Sequence, residues 1–222
     1  KGFYYRLYFG VTICNQYLAT FAKVDETKTA EVRFLRALNY YYLMDLYGNV
    51  PFTEQVSAAA APQYTRKQMY DYLEKELLEI EPKLSAATPK KSTDAGYGRV
   101  DKAAAWMLLS RLYLNAQVYT GTPQWQKAAE YAKKVMDSNY KLYTGATKNG
   151  WTAYQQLFMG DNGENGASVE AVFPILQDGK KTASWGTTLF LIASTFDAGV
   201  TVNPNGVAGN NTSENWAGNR AR

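Results

Sequence analysis

Residues 30–52 read AEVRFLRALNYYYLMDLYGNVPF, and this is the most informative stretch of the chain. Its apolar and aromatic side chains recur at three- and four-residue spacing, which predicts a helix over about residues 27–47. Gly48 supplies the backbone freedom that a helix C-cap needs, and Pro51 prevents the helix from resuming. One stripe of this helix carries Phe34, Leu38, Tyr41 and Asp45, and the adjacent stripe carries Leu35, Tyr42 and Leu46.

Four further amphipathic patterns surround this helix. They predict helices over about 3–22 and 69–84, a helix that opens at Asp101, and a helix that starts with Thr122 as cap and Pro123 in the first turn. Thr65 and Gln68 form a capping box ahead of the second of these. Consecutive helices joined by short turns, with small alanines beside large aromatics, indicate tetratricopeptide-like pairs. We therefore predict a mainly α-helical protein of the α-solenoid type.

The pattern changes after about residue 140. A short helix is expected at 153–159 and a strand at 169–177, where Pro174 requires an edge or a bulge. Residues 178–222 are rich in glycine and asparagine, a composition typical of loops. We therefore divide one domain into a tetratricopeptide-like helical scaffold, residues 1–140, and an irregular, loop-rich region, residues 141–222. Irregular segments on a rigid scaffold often carry binding sites, so we place the ligand site in this second region.

Composition excludes several classes of function. The formal net charge is only +4 and basic residues are scattered among acidic ones, so the clustered basic surface of a nucleic-acid-binding protein is not expected. The chain has no histidine, which removes the usual general base and the histidine-dependent triads. Nothing in the sequence pairs two carboxylates as the acid and nucleophile of a glycosidase. We predict that the protein is not an enzyme.

The tryptophans divide between the two regions. Trp106 and Trp125 stand at helical spacing and are predicted to be core residues, as is the single cysteine, Cys14. Trp151, Trp185 and Trp216 fall in the irregular region. An indole ring there can plug the scaffold, or it can stack on the apolar face of a pyranose whose hydroxyl groups then need polar partners.

No stretch approaches the roughly 18 uninterrupted apolar residues that a membrane helix needs, and no signal peptide is visible. The chain begins at Lys1 with a helical pattern established by Phe3, and it ends inside a polar stretch. We therefore expect an internal piece of a longer protein.

Residues 30–52 resemble the signature helix of the SusD-like (SusD/RagB) family, which consists of outer-membrane glycan-binding lipoproteins of Gram-negative bacteria. The shared features are acidic-x-Arg-Phe-Leu-Arg-Ala, a run of aromatics, and Leu-x-Gly-x-x-Pro. Residues 98–121 and 174–182 resemble the starch-binding member of that family. The similarity extends from about residue 3 to about residue 195 and is patchy beyond.

The resemblance implies a function and a location. It implies non-catalytic binding of starch or related α-glucan oligosaccharides at the outer cell surface, and their delivery to a TonB-dependent, SusC-like transporter. It also implies a lipid anchor upstream of this chain, which would be the only attachment to the membrane. Two alternatives stay open, a helical-repeat adaptor that binds peptides and a SusD-like protein for a different glycan.

The resemblance also supplies candidate site residues. Trp185 matches an aromatic residue, and Trp216 a tryptophan, of the aromatic arc with which the starch-binding member contacts starch; the second match depends on where gaps fall in the 197–216 loop. Asn215 and Arg220 flank Trp216 and can bond sugar hydroxyls. No cofactor is required. Some members of the family hold a structural calcium ion.

The turn 161–166 is the candidate place for such an ion. Asp161 and Glu164 could be ligands in it, although the turn lacks the acid that a calcium loop has at its third position. A turn with exposed acids is the alternative.

Overall fold

The computed structural model describes residues 2–176, and these residues confirm the predicted mainly α-helical fold. Two-residue strands β1 (Val50–Pro51) and β2 (Gln63–Tyr64) pair antiparallel inside the loop between the second and third helices. The described part of the chain forms seven helices: α1 (Gly2–Phe21), α2 (Glu26–Tyr47), α3 (Arg66–Ile80), α4 (Lys102–Leu114), α5 (Ala116–Thr120), α6 (Trp125–Met136) and α7 (Ala153–Gln156).

The long helices pack as neighbours in chain order. Helix α1 packs on α2, α2 on α3, and α4 on α6, the arrangement expected of tetratricopeptide-like pairs. Large side chains fill the core while small ones, such as Ala37, Ala105 and Ala128, let the helices approach. The single cysteine, Cys14, is buried on α1 as predicted. The largest fully buried side chains include Phe34, Tyr40, Leu43, Met44, Met69, Leu73, Leu77, Ile80, Leu109, Leu112 and Tyr113.

Local signals set the ends of these helices. The Asp25 carboxylate caps α2 by accepting a hydrogen bond from the Lys28 backbone nitrogen at 2.9 Å. At the other end Gly48 has φ +80°, and its N–H donates to the Met44 carbonyl at 3.0 Å, so a residue with a side chain would be strained there. The predicted capping box is also present, because Thr65 and Gln68 exchange both hydrogen bonds at the start of α3.

Three predictions are wrong. The helix predicted to start with Thr122 as cap, α6, begins instead at Trp125 with Gln124 as N-cap. Trp125 itself, predicted to be a core residue, is 60% exposed because it lies in the first turn, ahead of the buried Ala128. The predicted strand at 169–177 does not form over residues 169–176. There the backbone makes short turns instead, with a 3-10 helix at Ala167–Val169 and hydrogen bonds from Glu170 and Ala171 back into it.

The chain divides into two compact units, Lys1–Pro174 and Ile175–Arg222. The functional division proposed at residue 140 stays a prediction. Within the described residues, no helix combines the length and the apolar character that crossing a bilayer requires.

A buried ion network joins α1, α2, α3 and the loop after β1. Arg33 forms a bidentate pair with Glu76, at 2.8 and 2.7 Å, and these hydrogen bonds raise the pKa of Arg33 above its usual value. Arg36 is buried and donates to Glu76 at 3.1 Å, to Glu54 at 2.6 Å and to the Asn15 side chain at 3.1 Å. The two arginines of the signature helix therefore have a structural role: Arg33 ties α2 to α3, and Arg36 also fixes the loop that follows β1.

Two buried tyrosines differ in hydrogen bonding. Tyr70 is buried on α3, and its hydroxyl has no hydrogen-bond partner among the described residues; burial raises its pKa to about 12. Tyr40 is also buried, but its hydroxyl donates to the Thr53 carbonyl at 2.7 Å and accepts from the Thr53 nitrogen at 3.0 Å.

We expect Tyr70→Phe to raise the free energy of unfolding by about 1 kcal/mol, because a buried hydroxyl without a partner carries an uncompensated desolvation penalty. Tyr40→Phe is the matched control and should lower it by roughly 1–3 kcal/mol, since both Thr53 backbone groups lose their partner. Urea unfolding at pH 7 measures both changes. Equal destabilisation by the two variants would contradict the assignment of Tyr70.

Candidate functional site

The four predicted ligand contacts lie outside the described residues. They are Trp185, Asn215, Trp216 and Arg220, and their roles stay predictions. Of the tryptophans predicted for the irregular region, the structure describes Trp151, which is 48% exposed. Trp106 of α4 is half-buried, and its Nε1 donates to Glu81 at 2.6 Å.

The two candidate calcium ligands lie in a turn that ties down a neighbouring loop. The Asp161 carbonyl accepts from the backbone nitrogen of Glu164 at 2.8 Å, and its carboxylate accepts from the Asn165 amide at 3.2 Å. The Glu164 carboxylate accepts from the Ser92 hydroxyl at 3.3 Å. No group of three or more acidic, histidine or cysteine side chains in residues 2–176 is arranged to hold a metal ion. A calcium ion at Asp161 and Glu164 therefore remains a prediction.

A cleft of about 350 Å³ opens between α1, α2 and the segment before α4. Its volume is at the lower end of the range for small-ligand pockets. The Phe173 ring on its wall is held edge-on against the buried Phe34, with ring centroids 5.7 Å apart at 85°. Tyr17, Val32, Leu35, Val100 and Phe173 supply the apolar walls, and Lys28, Glu31, Gly98 and Arg99 complete the lining.

The polar groups of this cleft are already paired with one another or with its edge. Arg99 forms a bidentate ion pair with Glu31. Its Nη2 atom contacts Oε2 of the carboxylate, and its Nε atom donates to Oε1 at 3.1 Å. Lys28 pairs with Asp25 at 3.1 Å. A fixed guanidinium and carboxylate beside aromatic walls could contact the hydroxyl groups of a small polar ligand.

A second, smaller pocket of about 130 Å³ beside Tyr97 falls below the usual size of a ligand site.

Three exposed aromatic side chains lie within eight residues in and around α7, and we name this set the aromatic ledge: Trp151, Tyr154 and Phe158. Their exposed fractions are 48%, 69% and 73%. The Tyr154 and Phe158 rings meet edge to face, with centroids 5.2 Å apart at 68°. Sequence reasoning missed Tyr154 and Phe158, because aromatic residues four apart on a helix are more often core residues.

The backbone beneath the ledge is held by specific hydrogen bonds. The buried Gln156 side chain donates to the carbonyls of Ala146 at 2.9 Å and Trp151 at 3.0 Å, and accepts from the Tyr143 hydroxyl at 3.0 Å. Thr152 caps α7 through a capping box. A sequence signal for this frame exists in Thr152-x-x-Gln155, which has the spacing of a capping box.

Comparison with known proteins then assigns the chain to a family. The sequence model of the SusD-like family described as "Starch-binding associating with outer membrane" matches residues 2–114. The chain belongs to the SusD-like family. The predicted family is thereby confirmed, and the family consists of non-catalytic carbohydrate-binding proteins, in agreement with the prediction that this protein is not an enzyme.

One curated relative of this SusD-like chain is a starch-binding protein. It is 42% identical over 202 residues to the starch-binding protein SusD of Bacteroides thetaiotaomicron, an alignment that covers 89% of this chain and 34% of that protein. The chain thus spans about a third of the length of this curated relative.

Two solved structures share the fold of this SusD-like chain. One is the surface glycan-binding protein A of Bacteroides uniformis, with TM-score 0.58 and 27% identity, covering 74% of this chain and 36% of that one. The other is a SusD-like carbohydrate-binding protein of Bacteroides fragilis, with TM-score 0.62 and 23% identity, covering 77% of this chain and 32% of that one.

Proposed function

We propose that the protein binds starch or a related α-glucan at the cell surface and does not act on it chemically. The observation that carries this proposal is the 42% identity to a starch-binding protein across 89% of the chain. Membership of a family described as starch-binding supports the same ligand class. A peptide-binding adaptor, the alternative from another class, gains no comparable support from these relatives.

The location and the partner are finer parts of the proposal. The family description, "associating with outer membrane", supports a place at the outer membrane. We propose that a lipid anchor outside this chain holds the protein there, and that it passes oligosaccharides to a TonB-dependent, SusC-like transporter. Stacked helices present extended faces to partners, which suits such a contact.

Affinity electrophoresis tests the proposed function directly. In a native gel that contains soluble starch, the intact protein should migrate more slowly than in a gel without it. An adaptor that binds peptides would migrate equally in both gels. Retardation by another polysaccharide but not by starch would keep glycan binding and exclude starch as the ligand, so the same gels should be run with a panel of glycans.

At the level of residues, we expect Trp185→Ala and Trp216→Ala each to weaken α-glucan binding by roughly 1–3 kcal/mol, the range measured for loss of one base stacked on an aromatic ring. The proposed basis is stacking of both indoles on sugar rings, with Asn215 and Arg220 bonding the hydroxyl groups. Isothermal titration calorimetry with maltoheptaose measures the affinity, and thermal unfolding of each variant measures its stability.

Trp106→Ala is the control for this pair. It removes a half-buried indole and its 2.6 Å hydrogen bond to Glu81, so it should lower the melting temperature more than either loop variant does. If both loop variants keep normal affinity, the proposed site is wrong even though the family stands. A large loss of stability without loss of affinity would instead mark Trp185 and Trp216 as plugs of the scaffold.

A further inference from the structure

We propose that the aromatic ledge of Trp151, Tyr154 and Phe158 is a second glycan-contact surface, on which uncharged sugar rings stack. This proposal rests on the proposed function, and it concerns residues other than Trp185 and Trp216. The ledge would take rings of a long polysaccharide rather than define the main binding site.

The first argument is exposure. Single exposed aromatics are normal on protein surfaces, but three within eight residues, each about half exposed or more, concentrate apolar side chains in one short exposed segment. Tyr154 and Phe158 contact each other edge to face instead of turning into the core. Their arrangement presents ring surface outward, as stacking on a ligand requires.

The second argument is rigidity. Asn149 and Gly150 hold the preceding turn with φ values of +50° and +83°, and Lys148 and Trp151 form a backbone bridge across it. The Gln156 amide then fixes the carbonyl of Trp151 from below. Because this backbone is ordered before a ligand arrives, binding loses less conformational entropy than on a flexible loop.

The third argument concerns charge and decides which ligand fits. Residues 145–158 include no acidic side chain and only one basic one, Lys148, whose ammonium group donates to the Asn165 carbonyl at 3.1 Å. The acids of the turn that follows, Asp161 and Glu164, accept hydrogen bonds from Asn165 and Ser92. The ledge segment itself therefore offers little charge to an ionic partner. Within the described residues the Asn149 amide and the Tyr154 hydroxyl make no hydrogen bonds, so both are available to hydroxyl groups of a neutral sugar.

The test compares the intact wild-type protein with the intact double variant Trp151→Ala/Tyr154→Ala. Starch-gel electrophoresis should show a dissociation constant for soluble starch raised roughly tenfold, the effect of losing about one stacked ring. The melting temperature should hardly change, because the lost rings are exposed. Trp125→Ala is the matched control, since it removes an indole from α6 that is at least as exposed as that of Trp151, and it should leave starch binding unchanged.

The outcomes separate the two proposals. If the wild-type protein is not retarded by starch or by any other glycan, both fail. If the wild type is retarded and the double variant is retarded equally, the ledge proposal alone is overturned. A fall in melting temperature with unchanged starch binding also overturns it, because the rings would then be covered by another part of the protein or by a second copy. A tenfold loss shared by Trp125→Ala would show a non-specific effect and overturn it as well.

Discussion

Glu76→Ala should lower the free energy of unfolding by about 3–5 kcal/mol, the range for breaking a buried ion pair by removing one partner. Glu76 is buried on α3, and its carboxylate accepts three hydrogen bonds from Arg33 and Arg36. Without it, the buried Arg36 guanidinium keeps only the partly exposed Glu54 as an anionic partner within the described residues. Urea unfolding of the intact protein, followed by circular dichroism, measures the change.

Glu79→Ala is the matched control for this prediction. Glu79 lies on the same helix and bonds the same arginine, Arg33, at 3.0 Å, but its side chain is 50% exposed. Exposed ion pairs contribute about 0–1 kcal/mol, so this variant should remain near wild-type stability. A Glu76→Ala effect as small as that of Glu79→Ala would show that the network does not stabilise the fold.

The second large effect is expected at Asp101, which joins three segments. Its buried carboxylate caps α4 by accepting from the nitrogens of Ala103 at 2.9 Å and Ala104 at 3.2 Å. It also accepts from the Tyr140 hydroxyl at 2.8 Å and from the Thr88 nitrogen at 3.2 Å. Burial and the bond to Asp101 raise the pKa of Tyr140 well above its usual value.

Asp101→Ala should therefore lower the free energy of unfolding by about 2–4 kcal/mol. Loss of the cap contributes about 1 kcal/mol. Loss of the bonds from the Thr88 nitrogen and the buried Tyr140 hydroxyl, which keeps only longer contacts of 3.4 Å to the carbonyls of Thr88 and Val172, contributes roughly 1–3 kcal/mol more. Asp25→Ala removes an exposed cap from α2 and serves as control. It should lower the free energy of unfolding by only about 1 kcal/mol, the contribution of a helix cap. Thermal and urea unfolding of both variants decide the matter, and equal effects would show that the contacts to Tyr140 and Thr88 add nothing.

Helices and their ends could be predicted from the sequence because their causes are local. The period of residues 30–47, the Gly48 cap and the Thr65 capping box each depend on residues within a few positions of one another, and all three are present. The strand predicted at 169–177 failed because a short apolar run does not distinguish a strand from packed turns. The exposure of Trp125 depends on which side chains surround the first turn of α6, and helical spacing does not reveal that.

Long-range contacts and the candidate site were less predictable than the helices. Arg33 and Arg36 belong to the signature helix, but the partner that explains them, Glu76, lies 43 and 40 residues away in the sequence. The candidates at 185–220 came from resemblance alone and lie outside the described residues. Tyr154 and Phe158 were missed because aromatic residues of a core stripe and those of an exposed ledge have the same spacing in the sequence. Solvent exposure is decided by packing in three dimensions.

Burial of the single cysteine has a consequence for the chemistry of the folded chain. Cys14 lies on the face of α1 that packs inward, and burial raises the pKa of its thiol. Both effects slow alkylation and oxidation, since the reactive species is an accessible thiolate. The sulfur becomes reactive when the packing around α1 opens. The sequence therefore contains one natural thiol probe, whose labelling rate reports the local opening of the first helix without any engineered substitution.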